Sequence, residues 1–183
     1  MKTAMRSSIY PEMNPFLLLL GQVLKNLPNN PKPACAGFCL TYFDYIKETI
    51  VSERIGNVPP EKEYKYFFLS TKKVTQTLLL GKNRSKDFQN KKLEQYPGAI
   101  RLFDNCAGVS GHDSMVDEAT AALWLIVINY LFSAKTIKPM EEEEFWTKVA
   151  STAKFVQTSV APDNNWIYIM GEMLKNEHTL LHR

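Results

Sequence analysis

From Ala119 to Ala134 the chain runs for sixteen residues without a charge, interrupted only by Thr120, Asn129 and Ser133. Met115, Leu123, Trp124, Leu125, Ile126, Val127, Ile128, Leu131 and Phe132 place apolar side chains on nearly every face of a helix over this stretch, the pattern of a helix enclosed by others. Sixteen residues fall short of the roughly 20 needed to cross a bilayer, so the segment reads as a buried hub. Asp113 or Ser114 is placed to cap it, and Asp117 and Glu118 suit the positive end of a helix dipole. A chain of 183 residues fits one domain built around such a hub.

The flanking segments read mostly as helices. Asn14-Pro15 followed by Phe16, Leu17, Leu20, Val23, Leu24 and Leu27 forms a capped helix that stops at the proline-rich stretch Pro28 to Pro33. Cys35, Cys39, Tyr42, Ile46 and Ile50 recur at steps of three and four, which predicts a second amphipathic helix ending near Gly56. Residues 64–80 are rich in aromatic and β-branched residues that suit a hairpin turning at Ser70 to Lys73. Their flanks, Pro59-Pro60 with Glu61 and Glu63 before and Gly81 after, favour a helix. A short helix over Ala99 to Cys106, a loop at Gly108 to Gly111, and two helices opened by Pro139 and Pro162 complete the pattern. The expected fold is all-α: one domain, a bundle of about six or seven helices around the central helix at 115–134, with the hairpin in 64–80 as the alternative. Residues 1–12 read as a flexible arm.

Net charge is +3, but it is distributed unevenly. Residues 65–101 hold nine basic side chains, Lys65, Lys72, Lys73, Lys82, Arg84, Lys86, Lys91, Lys92 and Arg101, against two acids, while residues 102–183 hold six basic against eleven acidic. A helical 64–80 puts Lys65, Lys72, Lys73 and Gln76 on one face, a candidate track for phosphates, which need neutralisation rather than fixed geometry. Tyr64, Tyr66, Phe88 and Tyr96 interleave the charges and suit stacking on unpaired bases. With two arginines in the segment there is little capacity for bidentate base reading. The expectation is therefore a non-enzymatic helical protein that binds nucleic acid, single-stranded, through its backbone, and that self-assembles in a nucleocapsid-like or coat-like manner. Its homo-oligomer would use the basic patch against the acidic turn Glu141 to Glu144. The alternative is an adaptor or effector that holds an acidic protein partner.

The three cysteines are too few for a disulfide framework, which suits a reducing, cytoplasmic setting. Lys2 and Arg6 ahead of an apolar run imitate a secretory leader, but Pro11, Glu12 and Asn14 break the pattern. Cys35, Cys39, Cys106 and His112 form a candidate zinc set, set against the simpler reading of buried thiols. His178 and His182, four apart, are a second candidate pair at a helix end. No glycine-rich phosphate loop, zinc-protease motif or nucleophile elbow is present, and no cofactor is implied.

Overall fold

The computed structural model describes residues 5–27, 37–90, 92, 95–134 and 141–181. The expectation of an all-α helical bundle is overturned: among the described residues, five α-helices accompany a four-stranded antiparallel sheet. Helix α1 (Asn14–Asn26) is followed by the hairpin β1 (Gly37–Asp44) and β2 (Thr49–Gly56), then by helix α2 (Pro60–Leu79). A second hairpin, β3 (Ala99–Leu102) and β4 (Asn105–Ser110), precedes α3 (Ser114–Ala134), α4 (Glu142–Ser159) and α5 (Trp166–Leu181). The strand order is β2-β1-β4-β3.

Two expected helices are strands. Cys39, Tyr42, Ile46 and Ile50 belong to the first hairpin, in which Gly37 pairs with Gly56 and Asp44 with Thr49. Period-two alternation is hidden because both faces of β1 are covered. Phe38, Leu40 and Tyr42 join the main core, while Cys39 and Phe43 pack under α2. The turn is built by Asp44, whose carboxylate accepts the amides of Ile46 and Lys47 at 3.1 and 3.2 Å, with Glu48 at φ 51°. The short helix expected over Ala99 to Cys106 is the two-residue hairpin β3–β4. Phe103 and Asp104 take φ of 53° and 65° at its tip, a conformation that asparagine and glycine usually supply. The loop expected at Gly108 to Gly111 is mostly strand.

Helix α2 resolves the ambiguity of 64–80 in favour of a helix. It starts at Pro60 with Glu61 and Glu63 in its first turn and ends at Gly81, φ +61°, whose amide bonds the Leu78 carbonyl while that of Lys82 bonds Thr77. This paired closure is the Schellman arrangement that glycine permits. Among the described residues α2 is the α-helix that covers one face of the sheet, through Tyr66, Ser70, Lys73, Val74 and Thr77. Gly108 allows its approach: a Cβ there would lie 2.8 Å from Val74 Cγ2 and 2.9 Å from the Ser70 carbonyl oxygen.

On the other face lies α3, with every residue from Val116 to Ile128 buried. It is the hub, held between the sheet and helices α1, α4 and α5. Trp124 meets Tyr10, Phe16 and Tyr42 edge-on with centroids 6.0 to 6.5 Å apart. From the segment expected as an arm, Met5 and Tyr10 enter this core beside Met13. Ser7 and Ser8 bond the buried Glu53 carboxylate of β2.

The tight α2–sheet contact gives a first prediction. Gly108→Ala pushes α2 off β4 and lowers the unfolding free energy by about 1 to 3 kcal/mol in denaturant titration. A change within a few tenths of a kcal/mol would mean that the helix seats differently.

Candidate functional site

The exit of β4 turns at Gly111, His112 and Asp113 into the first turn of α3, and this turn, together with α2 and residues 96–98, encloses a buried polar cluster. Gly111 is required because a Cβ there would stand 2.8 Å from Phe38 Cβ and 2.9 Å from the Gly37 carbonyl oxygen. Asp113 caps the helix, its carboxylate accepting the Met115 amide at 3.0 Å. Asp117, one turn into α3, reaches back to accept the His112 amide at 2.9 Å.

From the opposite side of the sheet α2 sends in Lys73. It is 5% exposed, and its ammonium donates to the Val109 carbonyl at 2.7 Å and to Asp117 Oδ2 at 3.4 Å. Burial pushes this ammonium below its ordinary pKa, against the pull of Asp117. Gly98, at φ +126°, makes room for it, since a Cβ there would come within 2.6 Å of Nζ.

These groups form one wall of a cleft of about 250 Å³, closed by Lys65, Tyr66 and Leu69 of α2, by Tyr96 and Pro97, and by Ser110, His112 and Ser114. The side chain of His112 is 3% exposed. Its ring packs on Phe38, with centroids 5.9 Å apart. Neither ring nitrogen has a hydrogen-bond partner. Nδ1 stands 3.5 Å from Asp117 Oδ1, too long for a bond of normal geometry.

A second buried charge cluster adjoins α3. Arg84 holds Glu118 through two bonds of 2.6 and 3.3 Å and Asp163 through one of 2.6 Å. Lys86 also binds Asp163, and Asn164 donates to Glu118 at 3.0 Å.

These clusters divide the nine expected nucleic-acid contacts. Lys73 and Arg84 are buried with their charges committed to Asp117 and Glu118, and Lys86 is paired with Asp163. Lys73 therefore does not share a face with Lys72 and Gln76, which lie on the outward side of α2; Lys73 lies on the inward side, and Lys65, exposed, lies at the rim of the cleft. Arg101 approaches Asp104 at 3.8 Å, Lys82 and Lys92 are exposed, and Lys91 lies outside the described residues. Of the stacking candidates Tyr64 is exposed, Tyr66 is buried against Cys39, Phe88 is half-buried, and Tyr96 sits on the cleft wall.

The zinc set does not assemble. Cys35 lies outside the described residues, as does His182. Cys39 pairs in register with Ser110, and Cys106 with Phe43, so the two thiols stand about 13 Å apart along the sheet. Burial pushes each to a pKa of about 12, and among the described residues no group of three or more metal-ligating side chains occurs. His178 packs on Trp146 and meets Glu142 at 2.9 Å.

The residues that shape the cleft, Asp117, Ser110 and Ser114, are absent from the candidates that the sequence supplies. The available signal is the pair Asp117-Glu118 inside the most apolar helix, because a carboxylate entering a core needs a cationic partner.

No family model matches the chain, and comparison with curated proteins and with solved structures finds no match.

Two predictions arise here. Asp117→Asn leaves the Lys73 charge buried without its partner and costs about 3 to 5 kcal/mol, while Lys73→Met combined with Asp117→Leu costs less than the sum of the single changes. A double-mutant cycle in denaturant measures this, and strict additivity would contradict it. Asp163 has its pKa lowered from 3.8 to about 2, first by the Lys86 hydrogen bond and then by that of Arg84. The native state thus binds fewer protons than the unfolded state, so this stability is present above about pH 4 and is lost as pH falls towards 2. Asp163→Asn is expected to flatten the acid arm of the stability–pH curve in that window, and an unchanged slope would dismiss the contribution.

Proposed function

We propose that the protein binds a small anionic molecule, one bearing a carboxylate or phosphate group, in the cleft between α2 and the start of α3. The observation that carries the reading is His112, a buried imidazole on the cleft wall with both ring nitrogens unpartnered. Buried polar atoms are nearly always hydrogen-bonded, and an exception marks a group kept for something else. The sign of the ligand's charge follows from the surroundings. Lys73 is neutralised by Asp117, which leaves the exposed ammonium of Lys65 facing the cleft. Its volume of about 250 Å³ lies below that of typical drug-sized pockets, so a metabolite of a few heavy atoms is the fitting size.

A second reading keeps the outward-facing cations. Lys65, Lys72, Lys82 and Lys92, with Tyr64 84% exposed, support electrostatic binding of single-stranded nucleic acid. The Lys72 ammonium 5.6 Å from the Phe68 ring centroid places a cation beside an aromatic face, as a stacking platform requires.

One substitution tests the first reading. His112→Phe keeps a ring against Phe38 and removes both orphaned nitrogens, so it is expected to raise stability by about 1 kcal/mol while weakening anion binding at least roughly tenfold. The measurement is an amide-resolved NMR titration with inorganic phosphate, phenyl phosphate and short-chain carboxylates. Saturable shifts centred on Ser110 to Ser114 are expected in the parent protein. Their absence, or their persistence in His112→Phe, overturns the reading. If labelled single-stranded RNA instead binds with a steep dependence on salt, the second reading takes its place.

A further inference from the structure

The side chain of His112 is 3% exposed, and its Nδ1 stands 3.5 Å from Asp117 Oδ1. That carboxylate is already engaged. Oδ1 accepts the backbone amide of His112 itself at 2.9 Å, and Oδ2 faces the Lys73 ammonium at 3.4 Å. The other groups on the cleft wall that carry or can acquire a charge are Lys65 and Tyr66 on α2 and Tyr96 ahead of β3. Asp113, in the turn, is bonded to the Met115 amide, and Phe38, the β1 side chain packed on the ring, carries no charge.

A neutral imidazole has one N–H and one lone pair. With Asp117 beside Nδ1, Nε2 is the nitrogen left to meet a ligand. A proton on Nδ1 would turn the Nε2 lone pair towards an incoming anion, and a proton on Nε2 would turn the Nδ1 lone pair towards Asp117. Each arrangement sets a lone pair against a negative oxygen. Only the imidazolium donates on both sides at once, and its charge offsets the one that the ligand carries into a buried site. The ring alone has no such compensation, because burial disfavours its charged form and the charge of Asp117 is committed to Lys73.

We propose that the cleft takes up its anion together with one proton, held on His112, so that ligand is captured as the surroundings turn acidic and released as they turn alkaline. The proton comes from solvent and returns to it on release, and hydrogen bonds are the only bonds made to the ligand. This linkage rests on the proposed binding of an anion in the cleft and adds its regulation by pH.

The test is calorimetric titration of the full chain with propionate and with sulfate, two anions of fixed charge between about pH 6 and 9, in buffers of different ionisation enthalpy. The expected result is uptake approaching one proton per anion, with affinity falling up to roughly tenfold per pH unit between about pH 7 and 9. In long-range proton–nitrogen NMR spectra, both ring nitrogens of His112 are expected to reach the protonated position at saturation. His112→Gln keeps a hydrogen-bond donor but cannot take up a proton, so its affinity is expected to be lower and flat across the same range. Binding without proton uptake, or ring nitrogens that stay neutral in the complex, overturns the linkage and leaves anion binding standing. A pH dependence that persists in His112→Gln assigns the proton to another group, such as Lys65 or Tyr96, and overturns it as well. No binding of either anion at any pH overturns the linkage together with the reading of the cleft on which it rests.

Discussion

The ammonium of Lys73 is the point on which the two sides of the sheet depend. It starts on α2, beneath one face, and ends against Asp117 on α3, above the other, with the Val109 carbonyl of β4 between them. A charge at this depth would be costly alone, so α2, β4 and α3 can adopt their positions only together. The glycines follow from the same demand: Gly98 admits the ammonium, and Gly108 lets α2 descend far enough to deliver it. A hydrophobic pair of similar volume would often serve stability as well or better. What the ion pair adds is polarity at the base of a cleft, where an apolar plug would leave nothing to orient a ligand.

The lopsided charge of the sequence acquires a different meaning in this light. The cationic excess of 65–101 and the anionic excess of 102–183 meet one another inside the fold. Lys73 pairs with Asp117, Arg84 with Glu118, and Arg84 and Lys86 share Asp163. Charge segregated along the chain is thus partly cancelled in space, and a linear map of charge overstates the surface potential. No rule of composition distinguishes Lys72, half-exposed on the outward side of α2, from Lys73, buried one residue later. Only the phase of the helix against the sheet separates them.

The helices are legible in the sequence for a physical reason. α1, α3, α4 and α5 combine caps or prolines at their starts with apolar spacing that no strand would produce, and α2 announces its ends through Pro59-Pro60 and Gly81 even though its interior resembles a strand. The strands are illegible because their two usual signals are erased. β1 is covered on both faces, so Phe38 to Phe43 reads as continuous rather than alternating. The β3–β4 turn uses Phe103 and Asp104 at positive φ where a glycine would have declared it. In the same way Asp117 and Glu118 suit a helix dipole by their place in a first turn. That reasoning is sound for their backbone position and silent on the cations they meet, Lys73 from across the sheet and Arg84 from beside β3.

Helix α2 lines a concavity on each of its flanks. Its inner flank supplies Lys65, Tyr66, Leu69 and Lys73 to the cleft, and its outer flank supplies Tyr64 and Phe68 to the groove. It is the sole α-helix on its side of the sheet among the described residues, and the Lys73–Asp117 pair and the close approach at Gly108 tie its position to α3 and β4. Lys65 stands where the two surfaces come closest. Its side chain lines the cleft wall, while its backbone sits one residue from Tyr64 and three from Phe68.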